Sequence, residues 1–253
     1  MAELRFAVAT LFPQLVKAFL VHGITGKAVD SGVVEVEIHD LRDRAVDARG
    51  SVDDYQFGGG AGMVLRPEPL FRTLDAVEWA GEARVVLMTA SGPLLDQELA
   101  RELANSEGVI IFCGRYGGVD ERFRREAISD EVSVGSFVTS GGELPAMLLM
   151  ESVMRWVPGV LGRLESARSD SFATGLLDYP RYTRPAEYGG MGVPDVLLSG
   201  DHEAIRQWRY ERALERTRAI RPELLSGRDQ SEIRNSFMQA MQLAERHGER
   251  DDG

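Results

Sequence analysis

Residues 84–118 read RVVLMTASGPLLDQELARELANSEGVIIFCGRYGG, and they contain two short apolar runs on either side of a helical pattern. Continuous apolar runs of this length are typical of strands that are buried on both faces of a parallel sheet. Asp96 stands where a helix N-cap is expected, and the pattern predicts a helix that continues to about Asn105. A strand, a helix and a second strand in this order predict an α/β domain with a largely parallel sheet.

The same alternation of strands and helices extends over the first 160 residues. FAVATLF (6–12) predicts a strand, and Pro13 suits the first position of a following helix. Residues 33–39 alternate between apolar and polar side chains, which predicts a half-buried strand. EVSVGSFV (131–138) predicts one more strand, and the sequence after it predicts a helix from Leu144 to Val157.

The composition changes after Pro158-Gly159, where Gly, Ser, Arg and Asp replace the apolar periodicity. Such a stretch is typical of a linker. Asp201 is placed to cap a helix that runs to about Ile220, and a second helix carries an apolar stripe of Ile233, Phe237, Met241 and Ala244. The predicted organisation is an α/β domain at 1–160, a flexible linker at 161–175, a helical domain at 176–246 and a disordered tail at 247–253.

Composition and charge narrow the class of protein. The 253 residues carry a net charge of −11, which argues against a protein that coats nucleic acid by bulk attraction. Cys113 is the single cysteine, and its place at the end of a strand predicts a buried, inert thiol. No secretory signal and no long apolar run is found, so we expect a cytoplasmic protein with no membrane partner.

Three glycine-rich segments follow the predicted strands: TASG (89–92), CGRYGG (113–118) and TSGGELP (139–145). Because ligands of open α/β sheets bind at the carboxyl ends of the strands, these segments predict a cofactor cavity. The sequence has no P-loop and no GxGxxG dinucleotide fingerprint with its acidic partner. It also has no HExxH motif and no cysteine pair, so no metal ligand is assigned. The nucleophile elbow GxSxG of hydrolases is missing as well.

Two single residues and one arginine cluster have alternative interpretations. Asp170 is either a helix N-cap or a functional carboxylate. Arg155 either interacts with the negative end of a helix dipole or has a functional role. Seven arginines and three glutamates occur in residues 206–228. Within this segment Arg209, Arg212 and Arg216 share one helix face, which is either a solvated surface or an RNA-phosphate contact.

Long linked motifs give the sequence a family resemblance. They are, in order, YQFGGGAGMVLRPEPL, CGRYGGVDER, VGSFVTSGGELPAM, RWVPGVLG, DSFATGLLDYPRYTRP and VPDVLLSGDHEAIRQWR. Over nearly the whole chain, to about residue 225, they resemble the bacterial tRNA (guanine-N1)-methyltransferase family, TrmD. The resemblance implies an α/β domain of the SPOUT type with a deep trefoil knot and a small helical C-terminal domain. It further implies a homodimer with shared active sites.

The resemblance also implies the reaction and its residues. S-adenosyl-L-methionine is the methyl donor, and the acceptor is N1 of the guanine at tRNA position 37, beside the anticodon. Asp170 corresponds to the general base and Arg155 to its electrostatic partner. The matching cofactor-binding positions are Leu87, Gly114, Tyr116, Gly118, Val134, Gly135, Ser136, Phe137, Val138, Thr139, Gly141, Gly142 and Pro145. The arginine face of Arg209, Arg212 and Arg216, inferred above from its helix spacing and charge, becomes the candidate contact for tRNA phosphates.

Some positions depart from the family pattern, and Gly117 is the most serious departure because the family has glutamate there. This leaves open whether Mg²⁺ takes part and how fast the reaction is. It also leaves open an alternative, a catalytically impaired knotted RNA-binding homologue, although Asp170 and Arg155 are retained. A nucleotide-binding enzyme of another class, such as a dehydrogenase, is disfavoured because its fingerprint is missing.

Overall fold

The computed structural model describes residues 2–162, 167 and 170–248. The chain is divided into two compact units, Met1–Gly162 and Arg163–Gly253. Parts of the predicted linker, residues 163–166, 168 and 169, lie outside the described residues, and so do residues 249–253 of the predicted tail. Within the described residues no helix is both long and apolar enough to cross a membrane.

The first unit is built on a five-stranded sheet in which every neighbouring pair is parallel, with the strand order β2-β1-β6-β5-β7. This arrangement confirms the predicted parallel sheet. A separate antiparallel hairpin is formed by β3 and β4. The strands are β1 (Leu4–Thr10), β2 (Val34–Asp40), β3 (Asp53–Tyr55), β4 (Met63–Leu65), β5 (Arg84–Met88), β6 (Val109–Cys113) and β7 (Asp130–Val132).

Helices cover both faces of this sheet. They are α1 (Pro13–Phe19), α2 (Gly23–Asp30), α3 (Pro67–Leu74), α4 (Gln97–Ala104), α5 (Glu121–Ala127) and α6 (Glu143–Met154). The alternation along β1 shows how the two cores form: Phe6 and Val8 belong to one buried cluster and Ala7 and Ala9 to the other. Successive side chains of a strand point to opposite faces, so a strand buried on both faces is apolar throughout.

Capping agrees with the prediction for α4, since the Asp96 side chain accepts a hydrogen bond of 2.9 Å from the Leu99 backbone N–H.

Two strands are shorter than predicted at their carboxyl ends. β1 stops at Thr10, whose Oγ1 accepts a hydrogen bond of 2.9 Å from the Phe12 N–H. β7 stops at Val132, where its partner β5 ends at Met88, and the next residue, Ser133, donates its N–H to the Pro93 carbonyl and accepts from the Leu95 N–H instead.

Over residues 170–248, the second unit combines a small antiparallel hairpin of β8 (Glu187–Tyr188) and β9 (Met191–Gly192) with three α-helices. These helices are α7 (Asp195–Leu198), α8 (His202–Ile220) and α9 (Gln230–Gly248). The Asp201 side chain accepts hydrogen bonds of 3.0 Å from the N–H groups of Glu203 and Ala204, which confirms the predicted cap of α8. α9 extends through Gly248, two residues into the segment for which disorder is predicted.

The core of the second unit lies between α8 and α9. Ile233, Phe237 and Met241 of the predicted apolar stripe are each at most 2% exposed. Phe237 packs edge-on against Tyr179 and Tyr210, with ring centroids 6.3 and 5.7 Å away. The three stripe residues that the structure describes therefore face the core as predicted, while the Ala244 side chain lies outside the description.

Candidate functional site

A cavity of about 360 Å³ lies where β5, β6 and β7 end. Its walls come from the three segments that follow these strands, because the carboxyl ends of parallel strands meet at one edge of the sheet. The volume falls within the range of about 300–1,000 Å³ that is usual for small-molecule sites. The predicted glycine-rich segments are therefore brought together around a single ligand-sized space.

Most of the predicted cofactor-binding residues line this cavity. The lining members are Leu87, Gly114, Tyr116, Gly118, Val134, Phe137, Val138, Thr139, Gly141, Gly142 and Pro145. Gly135 and Ser136 do not belong to the lining. The Phe137 ring lies directly against Gly135.

Two glycines allow the segments to approach one another closely. A Cβ atom at Gly142 would lie 2.8 Å from Cys113 Cα, and one at Gly114 would lie 2.9 Å from the Met88 carbonyl oxygen. Real Cβ atoms do not come so near to backbone atoms, so a larger residue would push the segments apart. The Gly142 N–H donates a hydrogen bond of 2.8 Å to the Gly114 carbonyl, which holds the two segments together.

A buried ion pair beneath the cavity escaped the sequence analysis. Glu143, in the first turn of α6, is only 2% exposed and accepts a hydrogen bond of 3.0 Å from Thr10 Oγ1. Arg115 Nε lies 3.3 Å from both carboxylate oxygens of Glu143. The Arg115 guanidinium also stacks on Phe12, 4.1 Å from the ring centroid. The available sequence signal was an acidic residue at the start of an otherwise apolar helix.

Cys113 lies beside this ion pair and is buried, as predicted. Burial raises the pKa of its thiol well above the usual range, and the negative charge of Glu143 acts in the same direction. A thiol that stays protonated is a poor nucleophile and a poor metal ligand. Cys113 is therefore a packing residue at the end of β6.

The mouth of the cavity carries paired charges that the sequence analysis also missed. Glu121 and Arg124 both line it, and Arg124 hydrogen-bonds to Glu121. Hydrogen bonds from Arg124 and Arg125 lower the pKa of Glu121 to about 2, so this carboxylate is ionised at neutral pH.

Gly117 also lines the cavity, and its N–H donates to the Met63 carbonyl at 2.7 Å. A side chain at position 117 would start beside β4, with its Cβ 3.0 Å from that oxygen.

The two predicted catalytic residues lie in different units. Arg155 follows the last turn of α6 in the first unit and is half-buried. Asp170 belongs to the second unit, where its carbonyl accepts a hydrogen bond from the Ala173 N–H in a turn. Asp170 Oδ1 lies 3.8 Å from Arg181 Nη2. Asp170 therefore precedes a turn and not a helix that it could cap.

The predicted arginine face lies on α8, but part of its charge is neutralised. Arg209 Nη1 is 3.6 Å from Glu245 Oε1 of α9, and Arg212 Nη1 is 2.7 Å from Glu215 Oε2. Arg216 is exposed, and no described residue forms an ion pair with it. The sequence count of charges near this helix could not include Glu245, because that residue comes from the next helix.

No group of three or more His, Cys, Asp or Glu side chains is arranged to hold a metal ion among residues 2–162, 167 and 170–248. The parallel sheet and the glycine-lined cavity at its carboxyl edge define an α/β ligand-binding protein. A family profile described as tRNA (Guanine-1)-methyltransferase TrmD matches residues 4–227. The chain belongs to the TrmD family, which confirms the family predicted from the linked motifs.

Individual relatives agree with this assignment over almost their full lengths. A Geotalea uraniireducens protein named tRNA (guanine-N(1)-)-methyltransferase is 48% identical over 240 residues, 94% of this chain and 97% of the relative. A Geobacter sulfurreducens protein of the same name is 47% identical over 97% of this chain and 100% of the relative. One from Staphylococcus carnosus is 46% identical over 86% of this chain and 89% of the relative.

Proposed function

We propose that this protein transfers a methyl group from S-adenosyl-L-methionine to N1 of the guanine at position 37 of tRNA. The observation that carries the proposal is the glycine-lined cavity at the carboxyl ends of β5, β6 and β7 in a chain of the TrmD family. The names of the relatives support a tRNA guanine as the acceptor. Position 37 comes from the family resemblance of the motifs.

The cavity suits the proposed methyl donor in size and chemistry. Leu87, Val134 and Pro145 would supply apolar walls for a purine ring. Gly114 and Gly142 place backbone at the cavity surface, where N–H and C=O groups recognise polar edges of a ligand at short range. S-adenosyl-L-methionine, when bound, supplies a sulfonium methyl group as the electrophile.

Asp170 and Arg155 have complementary roles in the proposed mechanism. Guanine N1 carries a proton at neutral pH and becomes a nucleophile only when that proton leaves. Asp170 would accept the proton as a general base. Negative charge then develops on guanine O6, and the Arg155 guanidinium would stabilise it. Both roles require the target base to be displaced from its loop, as in other enzymes that modify single bases.

The proposal also assigns a role to each domain and an oligomeric state to the protein. The α/β domain at 1–160 would bind the cofactor and contain the trefoil knot, and the linker at 161–175 would carry Asp170. The helical domain at 176–246 would bind tRNA through Arg209, Arg212 and Arg216. Two copies would form a homodimer with shared active sites in the cytoplasm. Position 117 carries no carboxylate, and methyl transfer by the wild-type protein with Mg²⁺ and with a chelator tests whether the metal has a role.

The first test is methyl transfer from labelled S-adenosyl-L-methionine to a tRNA transcript with guanine at position 37, compared with the same transcript carrying adenine there. We expect transfer to the guanine transcript alone. Transfer to both transcripts would overturn the assignment of the target base. Absence of transfer to either, with cofactor binding retained, would favour the impaired RNA-binding homologue.

The second test separates catalysis from binding. Asp170→Ala is expected to reduce methyl transfer by about 100-fold or more, as for loss of a general base, and to leave cofactor affinity measured by calorimetry unchanged. Asp195→Ala, which removes an exposed carboxylate from the same unit, serves as the matched control. Loss of cofactor binding in Asp170→Ala would overturn its role as the base.

A further inference from the structure

A second cavity, of about 520 Å³, lies in the second unit. It is bounded by residues 179–184 and by side chains of α7 and α8. Its apolar side is formed by Val193, Leu197 and Ile205. No residue of the predicted cofactor set belongs to it, and Arg209 is the one member of the proposed tRNA-binding arginines that lines it, so the proposed methyl transfer assigns no ligand to the cavity as a whole.

Aromatic rings form one wall of this second cavity. Tyr182 is half-exposed, and its ring centroid lies 6.3 Å from that of the partly buried Trp208. Exposed ring faces of this kind are the surfaces on which unpaired bases stack in proteins that bind single-stranded nucleic acid. Tyr182 has little reason to remain half-exposed for packing alone, because the core of this unit is formed by other residues.

The charge of the second cavity is positive in a chain whose net charge is −11. Arg181, Arg184 and Arg209 line it, and its lining contains no carboxylate. Arg181 is paired with Asp178 at 2.8 Å, and Arg209 lies 3.6 Å from Glu245. Arg184 is exposed, and no ion pair joins it to any residue that the structure describes. A guanidinium without a counter-charge at the edge of an aromatic cavity is suited to a phosphate group.

We propose that the second cavity binds one unpaired nucleotide of the tRNA substrate. The base would lie against Tyr182 and Trp208, and a phosphate would contact Arg184. Aromatic faces and an unneutralised arginine together match a nucleotide, whereas an acidic peptide would use the positive charge and leave the ring faces without a partner. The inference rests on the proposed function, since it assumes that RNA is the substrate.

The variants that test the second cavity are Tyr182→Ala, Tyr182→Phe and Arg184→Gln. Affinity is measured by anisotropy of a fluorescent tRNA transcript with guanine at position 37. Tyr182→Ala is expected to weaken binding about tenfold, the size of one lost stacking contact, whereas Tyr182→Phe keeps the ring face and the wild-type affinity. Equal affinities of Tyr182→Ala and wild type would overturn the proposal.

The arginine is tested by the salt dependence of tRNA binding. Arg184→Gln is expected to lower the slope of log K against log salt by about 1. Arg218→Gln is the matched control, because Arg218 is an exposed arginine of α8 that does not line the cavity. Equal effects of the two substitutions would mean that Arg184 acts only through overall charge, which contradicts a phosphate contact in the cavity.

A crosslinking experiment locates the contact and separates the two proposals. Ultraviolet light applied to the wild-type complex should join tRNA to the peptide that contains Tyr182 or to the one that contains Trp208. Crosslinks found only in other peptides would overturn the second-cavity proposal while methyl transfer by the same preparation continued. Failure of the proposed function would instead appear as absence of methyl transfer in the wild-type protein.

Discussion

Glu143, in the first turn of α6, holds Arg115 of the segment after β6 through contacts of 3.3 Å between Nε and both carboxylate oxygens. The pair fixes two walls of the first cavity relative to each other, because Arg115 lines that cavity and Glu143 lies next to Gly142. Thr10 completes the set from the end of β1. A buried carboxylate with these partners is a structural support for the cavity.

Removing the charge of Glu143 should therefore affect both stability and ligand binding. Glu143→Gln is expected to lower the free energy of unfolding by about 1–3 kcal/mol, because Arg115 loses its counter-charge in a partly buried place. Cofactor affinity should fall with it. Denaturant unfolding and calorimetry measure the two quantities. Glu151→Gln, an exposed substitution on the same helix, should change neither, and an equal effect of both substitutions would contradict the supporting role.

A second ion pair predicts a pH dependence of stability. Arg84 Nε donates to Asp130 Oδ2 at 2.8 Å, and the Asp130 side chain is 15% exposed. Burial acts to raise the pKa of Asp130, but hydrogen bonds from Arg84 and Ser129 outweigh it and hold the pKa below its ordinary value of 3.8. A lowered carboxyl pKa in the folded state stabilises the protein above the ordinary pKa, and this stabilisation is lost as pH falls through the folded value.

Asp130→Asn should accordingly unfold more easily than wild type by about 1–2 kcal/mol at neutral pH. The difference should shrink below about pH 4, as the wild-type carboxyl becomes protonated. Urea unfolding at several pH values measures it. Arg125→Gln, which breaks a pair with 74% of the arginine side chain exposed, should cost less than about 0.5 kcal/mol. A difference that persists undiminished at pH 3 would refute the role given to this pair.

Gly117 can be replaced by glutamate, the residue that the resemblance of the motifs implies at this position. Gly117→Glu is expected to raise the rate of methyl transfer by about tenfold and to make it sensitive to Mg²⁺, since a carboxylate would be added at the first cavity. Gly117→Gln has the same shape without the charge and should do neither. Assays with Mg²⁺ and with a chelator compare the variants. A rate and metal response that match wild type would show that the carboxylate is dispensable here.

Arg216 should contribute most of the electrostatic binding to tRNA among the three arginines of the predicted face. Arg209 and Arg212 each lie near a glutamate, whereas Arg216 is exposed without an ion pair among the described residues. Arg216→Gln should lower the salt slope of tRNA binding by about 1, and the triple substitution should lower it only slightly more, by less than about 2. Filter binding at several salt concentrations tests this. A triple variant with the wild-type slope would mean that these arginines form a solvated surface and do not contact tRNA phosphates.

The parts of the fold with strong local signals were predictable from sequence. β6 has the predicted bounds, and Asp96 and Asp201 cap helices as expected, because strand burial and capping depend on neighbouring residues. The end of β7 was not predictable in the same way. The apolar character of residues 131–138 favours a strand, but its partner β5 ends at Met88, and the backbone of Ser133 bonds to Pro93 and Leu95 instead.

In the candidate site, too, features that depend on local sequence were predictable, and contacts between distant residues were not. The glycine-rich segments predicted the first cavity, because segments that follow parallel strands meet at the carboxyl edge of the sheet, where ligands bind. The pair of Glu143 and Arg115 joins residues 28 positions apart, and the contact of Arg209 with Glu245 joins two helices. Sequence spacing does not reveal such contacts, because they arise only when separate elements pack together.

The register of the sheet has a consequence for the growing chain. β1 pairs on one side with β2, where Phe6 faces Val36, and on the other side with β6, where Phe6 faces Val109. During synthesis β1 therefore meets its first partner early, and its other edge stays unpaired until more than a hundred residues have left the ribosome. An open apolar edge of this kind invites association with other chains. We therefore expect the nascent N-terminal half to be open to association through this edge of β1 until β6 has been synthesised.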